Sequence, residues 1–378
     1  MRILFLAILI TIASLGKAQN GFVIKDVTVF DGENIIKNTS VKIQDHRIVE
    51  IAKNVEISDG FEVVNGEGKF LMPALSNAHV HAWSPKFLKD AAQAGILNVM
   101  DMHGLENFQQ FMLNVKDSTN FARFYRAGYA ATAPNGHGTQ FGFPVPTLEK
   151  PEDAKTFVDE RKQANVDYIK IIVEPSRTTL THPTIANVIT HAHDQNLKTV
   201  VHVSHLKDGI QVIQNDADGL VHIWRDESIS ESDLTQLANE KEFFVIPTLL
   251  TTFKAIDYLG EKATGLLTKD QLLVEIKRLY EAGIPILTGT DPPNFEINFG
   301  TDLHEELLLY EQAGIPNQDI LKTATINVAK AFDLNSYGMI KKGYTADLIL
   351  INGDPVENMS DIKNIEMVWK EGKLVNRD

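Results

Sequence analysis

Apolar and polar positions change rhythm along the chain. From 21 to about 67 the apolar runs are short and loosely alternating. Phe22, Ile24, Val27 and Val29 precede the turn Asp31-Gly32, and Val41, Ile43, Ile48, Ile51, Phe61 and Val63 follow. Period-2 runs punctuated by Gly and Asp predict a small antiparallel sheet. Positions 346–351, 365–369 and 374–375 repeat that character near the C-terminus. Neither end is long enough to bury a core alone. Residues 19–70 and 335–378 are therefore expected to combine into one small β-sandwich domain.

Residues 71–334 alternate short apolar runs with stretches of helical spacing. The runs end near His81, Asp101, Thr132, Glu174, Val203, His222, Pro247 and Thr290. Between them, 152–165, 184–196, 231–241 and 269–282 carry apolar residues at helical intervals. Strand–helix repetition implies a parallel sheet. Eight such units predict an α/β chain built on a (β/α)8 TIM barrel. Reactive groups of such barrels sit at the C-terminal ends of the strands, so polar residues that close apolar runs become candidates.

Residues 1–18 stand apart. Arg2 precedes an apolar run over 3–13 broken only by Thr11, and Gly16 and Ala18 are small. This is the pattern of a secretory signal peptide, and the run is too short to cross about 30 Å of hydrocarbon. The protein is expected to be exported, periplasmic or secreted, with no stable membrane insertion once the signal is removed.

Composition narrows the chemistry. Of 378 residues, 43% are hydrophobic and 23% charged, which fits a folded globular chain. A net charge of −14 without a basic stripe argues against a nucleic-acid partner. The absence of cysteine removes disulfides, thiolate metal sites, iron–sulfur clusters and a cysteine nucleophile. A metal would have to be held by His, carboxylate or a modified side chain.

His79-Val80-His81 follows an apolar run. On a strand, positions i and i+2 share a face, about 7 Å apart, so the two rings can converge on one ion. His191-Ala192-His193 has the same spacing but falls in a helical stretch. There two residues are separated by about 200°, and those rings are expected on the surface. His202 and His222 end two successive apolar runs, and Asp291 lies just past the last one. All three are candidate ligands, with Asp291 also a candidate proton shuttle. His205 is a weaker candidate, expected in a loop. Lys170 is flanked by apolar residues and shares a face with Tyr168, Ile172 and Glu174. An inward-facing Lys is costly unless paired or neutral. It can pair with Glu174, reach the rim, or react as a neutral amine with carbon dioxide to give a carbamate that bridges two cations.

Together these residues resemble the amidohydrolase superfamily, and the resemblance covers nearly the whole chain after 18. Phe30-Asp31-Gly32 is similar to its N-terminal sheet, and 71–81 to its first barrel strand with His79 and His81 as ligands. Lys170 stands where the bridging lysine of strand four belongs. His202, His222 and Asp291 match strands five, six and eight. Gly343-Tyr344-Thr345-Ala346-Asp347-Leu348 and Gly353-Asp354-Pro355 resemble the return into the sheet domain. Ala74 and Asn77 depart from the family pattern, which often has Gly and Asp there. Gly136-His137-Gly138 resembles a substrate-side loop of peptidase-like members, with His137 orienting a carbonyl. His103, Arg177 and Arg225 are placed at the same barrel end, and His304 is expected to be structural.

The resemblance implies two divalent ions, zinc being favoured, held by His79, His81, His202, His222 and Asp291 and bridged by carboxylated Lys170. It implies hydrolysis of a C–N amide bond in a small molecule: a dipeptide, an N-acyl amino acid or a cyclic amide. Water held between the ions would attack, and Asp291 would shuttle the proton. A mononuclear deaminase, an ester, lactone or organophosphate hydrolase, and a metal-free binding or scaffold protein are the alternatives. Substrate and oligomeric state stay open.

Overall fold

The computed structural model describes residues 21–377, and the signal-like segment 1–18 lies outside them. The N-terminal strands are β1 (Gly21–Phe30), β2 (Ile35–Gln44), β3 (Arg47–Ala52), β4 (Phe61–Asn65) and β5 (Lys69–Pro73). Only Ala74 separates β5 from the next strand. That strand is β6 (Leu75–Val80), followed by β7 (Ile96–Asp101), β8 (Arg123–Arg126), β9 (Ile169–Ile172), β10 (Thr199–His202), β11 (Gly219–Val221) and β12 (Phe244–Ile246). The chain closes with β13 (Leu348–Asn352), β14 (Ile365–Lys370) and β15 (Lys373–Leu374).

The two chain ends do pair with each other. β13 lies antiparallel to β5, with Leu348 opposite Pro73 and Leu350 opposite Leu71. The ends form a single eight-stranded sheet, in the order β15-β14-β13-β5-β1-β2-β3 with β4 beside β1. The expected sandwich thus takes the form of one continuous hydrogen-bonded sheet, and no second sheet is resolved in it among the described residues. Its inner face buries Phe22, Ile24, Val29, Leu71, Leu350 and Trp369 together. Lys370 anchors this sheet to the central region, its ammonium donating to the carbonyls of Ser118 at 2.9 Å and Phe121 at 2.7 Å.

The middle strands are parallel, as strand–helix alternation requires. β6, β7 and β8 form one group and β9 to β12 another. The expected helices fall at Asp153–Gln163, His182–Asp194, Glu231–Glu240 and Lys269–Glu281. The last is held at its start by a capping box between Thr268 and Gln271, an arrangement worth about 1 kcal/mol. The third run stops earlier than its apolar length suggests. Gly128 takes a left-handed φ of 67°, and only Ala131 bridges to Ile171. The eighth run contributes a single bridge, Ile286 to Val245. Backbone hydrogen bonds nevertheless link it on both sides: Leu287 N–H donates to Val245 C=O at 2.9 Å, and Ala78 N–H to Thr288 C=O at 2.8 Å.

Candidate metal centre

Every residue of β6 is buried. The Asn77 Oδ1 atom accepts from the backbone N–H of His79 at 3.1 Å and of Thr290 at 3.2 Å. Its amide donates to Thr290 Oγ1 at 2.8 Å. One side chain therefore ties β6 to the eighth run. Gly289 lets the two backbones approach: a Cβ there would lie 2.9 Å from His79 Cβ and 2.5 Å from Ile246 Cγ2. Asp291 follows, its N–H donating to His79 C=O at 2.8 Å.

Asp291 Oδ1 lies 3.2 Å from His79 Nε2 and 3.1 Å from His81 Nε2, and the two imidazole atoms are 3.3 Å apart. His79, His222 and Asp291 each bring a ligand atom within 4.8 Å of the others. The His222 ring lies 4.9 Å from that of His79 and 4.5 Å from that of His202. His81 Nδ1 is fixed by the His103 carbonyl at 3.1 Å, which leaves Nε2 as the lone-pair atom. His222 Nδ1 meets Thr248 Oγ1 at 2.6 Å, a contact that orients its ring. An imidazole oriented through its second nitrogen is the usual condition of a metal-binding histidine.

Burial holds His79 and His222 well below the usual histidine range, with Lys170 next in importance for His79 and His202 for His222. Burial also lowers His202, against the opposing pull of Glu174. Neutral imidazoles are the state that binds a cation. Burial pulls His81 down as well, but the Asp291 carboxylate outweighs it and His81 ends raised.

Lys170 lies in β9 with its side chain in the same cavity. Its ammonium nitrogen is buried without a hydrogen-bond partner, and desolvation pulls its pKa down to about 7. Of the alternatives open to Lys170, a pairing with Glu174 is absent. Glu174 accepts from Ser204 Oγ at 3.2 Å and Ser176 N–H at 3.1 Å, and its other oxygen lies 3.4 Å from His202 Nε2.

The donor set fits a divalent metal. Asp291 Oδ1, His79 Nδ1 and Lys170 Nζ are buried and unsatisfied, an uncommon condition in a folded interior. Ligand-capable atoms of a carboxylate and two imidazoles gather within 3.3 Å of one another, the spacing of groups that share a cation or a proton. Nitrogen and oxygen ligands without sulfur suit zinc and its first-row neighbours.

The cavity above these residues has a volume of about 730 Å3. His137 and Arg225 line it, and the His137 ring sits 5.0 Å from that of His202. Burial, followed by His202, lowers His137 to about 3. Other candidates fall outside the cavity lining. His205 pairs with Ser204 at 3.0 Å, and His304 is buried in the helix Asp302–Gln312. His191 and His193 sit on a helix beside Asp194 and Asp218, as the helical spacing required.

Two contributors, Asp101 and Thr248, were not legible as such. Asp101 closes β7, accepts from Ala82 N–H at 2.6 Å and from Gln109 Nε2 at 2.8 Å, and is pushed up to about 7 by burial. Its position at the end of an apolar run is the same signal that marked Asp291. His103, expected at this end of the barrel, does line the cavity, its Nδ1 accepting from Ala130 N–H at 3.0 Å. Thr248 carried no signal at all.

Residues 70–375 match the amidohydrolase family, and the chain belongs to that family. A 5-methylthioadenosine/S-adenosylhomocysteine deaminase of Caldicellulosiruptor saccharolyticus is 22% identical over 94% of each chain. An adenine deaminase of Thermosipho africanus is 24% identical, over 97% of this chain and 60% of its own. Among solved structures, an Xaa-Pro dipeptidase with bound methionine superposes with a TM-score of 0.82 at 19% identity, covering 94% of this chain and 99% of that one. A putative prolidase from Bifidobacterium longum gives 0.80 at 21% identity over 94% of each. At such identities the structural likeness is one of fold. Family membership makes the protein a hydrolase of carbon–nitrogen bonds in a metal-dependent family.

Proposed function

We propose that the protein is an exported amidohydrolase that cleaves a C–N amide bond, in a dipeptide, an N-acyl amino acid or a cyclic amide. The two parallel groups and the eighth run would form the (β/α)8 barrel, with the sheet of both chain ends beside it. The observation that carries the reading is Lys170. Its nitrogen is buried, has no hydrogen-bond partner and lines the same cavity as the histidines. A single-metal deaminase would need no such group.

The Lys170 amine would add to carbon dioxide, forming one N–C bond and losing one proton. The product is an anion with two oxygens for two cations. His79, His81 and Asp291 would hold one cation, and His202 and His222 the other, with zinc the favoured metal. Bound there, divalent ions polarise a carbonyl and lower the pKa of water from 15.7 to about 7. Asp291 would take the proton of the attacking water and deliver it to the leaving nitrogen. The oxygen of water ends on the acyl carbon and the C–N bond breaks. His137, neutral and beside His202, would orient the substrate carbonyl. Export rests on the segment 1–18.

Deamination is the second reading, favoured by the names of the curated relatives. The test is turnover of N-acyl amino acids and dipeptides beside adenosine-type nucleosides, by zinc-loaded protein with a chelator control. Chelator-sensitive amide cleavage supports the first reading. Nucleoside deamination with no amide cleaved replaces it.

A further inference from the structure

The floor of the cavity is polar and its mouth is not. Among the described residues with large exposed apolar side chains, Trp83 (59%), Phe108 (50%), Phe141 (51%) and Phe295 (40%) all line this cavity. The cluster extends outward. Phe111 lies ring to ring with Phe108 at 6.4 Å, and Tyr258 with Phe295 at 6.0 Å. Phe143 stacks on Phe141 at 6.1 Å and reaches down to His103 at 6.4 Å. Exposed aromatic surface concentrated at one cavity mouth marks a binding surface. A cavity of about 730 Å3 also falls in the range that encloses a drug-sized ligand, well beyond the needs of two small amino acids.

The charge at the mouth is placed differently. Trp83, Phe108 and Phe141 follow β6, β7 and β8, one parallel group. Arg225 follows β11 in the other group. Its guanidinium touches Glu174 at 3.5 Å, the long end of a hydrogen bond, and the side chain remains a third exposed.

Resting on the amide reading above, we infer that the substrates are N-acyl amino acids with a large apolar acyl group. The acyl group lies against the aromatic rim of Trp83, Phe108 and Phe141. The amino-acid carboxylate is held by Arg225, which follows the other parallel group. Hydrolysis adds water across the C–N bond and releases a fatty or aromatic acid and a free amino acid.

Two measurements on the zinc-loaded full chain test this. The first is calorimetric binding of acetate and 2-naphthoate, which share a carboxylate and differ in apolar surface. Naphthoate should bind roughly tenfold or more tighter. The double variant Phe108→Ala/Phe141→Ala, at two half-exposed positions, should erase most of that margin. Equal binding of the two acids overturns the inference, whatever the protein cleaves. The second is kcat/KM for N-(2-naphthoyl)alanine, N-acetylalanine and N-(2-naphthoyl)alaninol. The first should exceed each of the others by about tenfold. An alaninol compound cleaved as well as the acid removes Arg225 from recognition. Tight naphthoate binding with no amide cleaved overturns the amide reading underneath, so the two failures are told apart.

Discussion

Thr248 Oγ1 lies 2.6 Å from Nδ1 of His222, and this contact orients the ring. Where the hydroxyl accepts from Nδ1–H, Nε2 keeps its lone pair for a cation. Thr248→Val keeps the shape and removes the acceptor. It should weaken metal binding by about 10- to 100-fold, read by competition with a zinc indicator, with little change in far-ultraviolet circular dichroism.

Asp291 lies within 3.2 Å of two imidazole nitrogens, yet Asp291→Asn would still offer an oxygen ligand. What it loses is the proton carrier. Turnover should fall by about 10²- to 10⁴-fold while part of the metal stays bound. Near-normal kcat in that variant removes Asp291 from proton transfer.

Lys170→Ala should fold, because the native amine has no hydrogen-bond partner to lose. Elemental analysis should show bound metal falling from about two ions per chain to one or none. Retention of both would mean that another group bridges them.

His304 offers a prediction away from the metal centre. Burial lowers its pKa from the ordinary 6.5 to about 4. The folded form therefore resists a proton that the unfolded chain accepts. Stability from this group is full above pH 6.5 and is lost as pH falls toward 4. A shift of this size corresponds to about 3 kcal/mol. His304→Phe should flatten the acid side of the stability curve, measured by urea unfolding between pH 4 and 7. An unchanged slope would show that His304 does not contribute.

The candidate ligands were legible because strands are regular. A polar residue closing an apolar run must point somewhere, and period 2 says that His79 and His81 point together. Lys170 stood out for the same reason. Partners from distant segments were not legible. Nothing near His222 in sequence names Thr248 as its hydrogen-bond partner. Glu174 was expected to share a strand face with Lys170, but β9 ends at Ile172 and Ser204 and His202 take its oxygens. The eighth run was also read as a longer strand than it is. Gly289 brings it against His79 by close approach and a regular ladder does not form, a choice that apolar content cannot reveal.

The pairing of β13 with β5 couples the ends of the chain in time as well as in space. β5 leads through Ala74 straight into the strand that carries His79, and its outer partner follows only after the whole central region has been made. Until β13 arrives, that edge has unpaired N–H and C=O groups, the kind of surface that recruits foreign strands. A truncated product lacking residues from Leu348 onward would expose the same edge permanently. Quality control in the cell would meet it as an aggregation-prone fragment and not as a weakened enzyme.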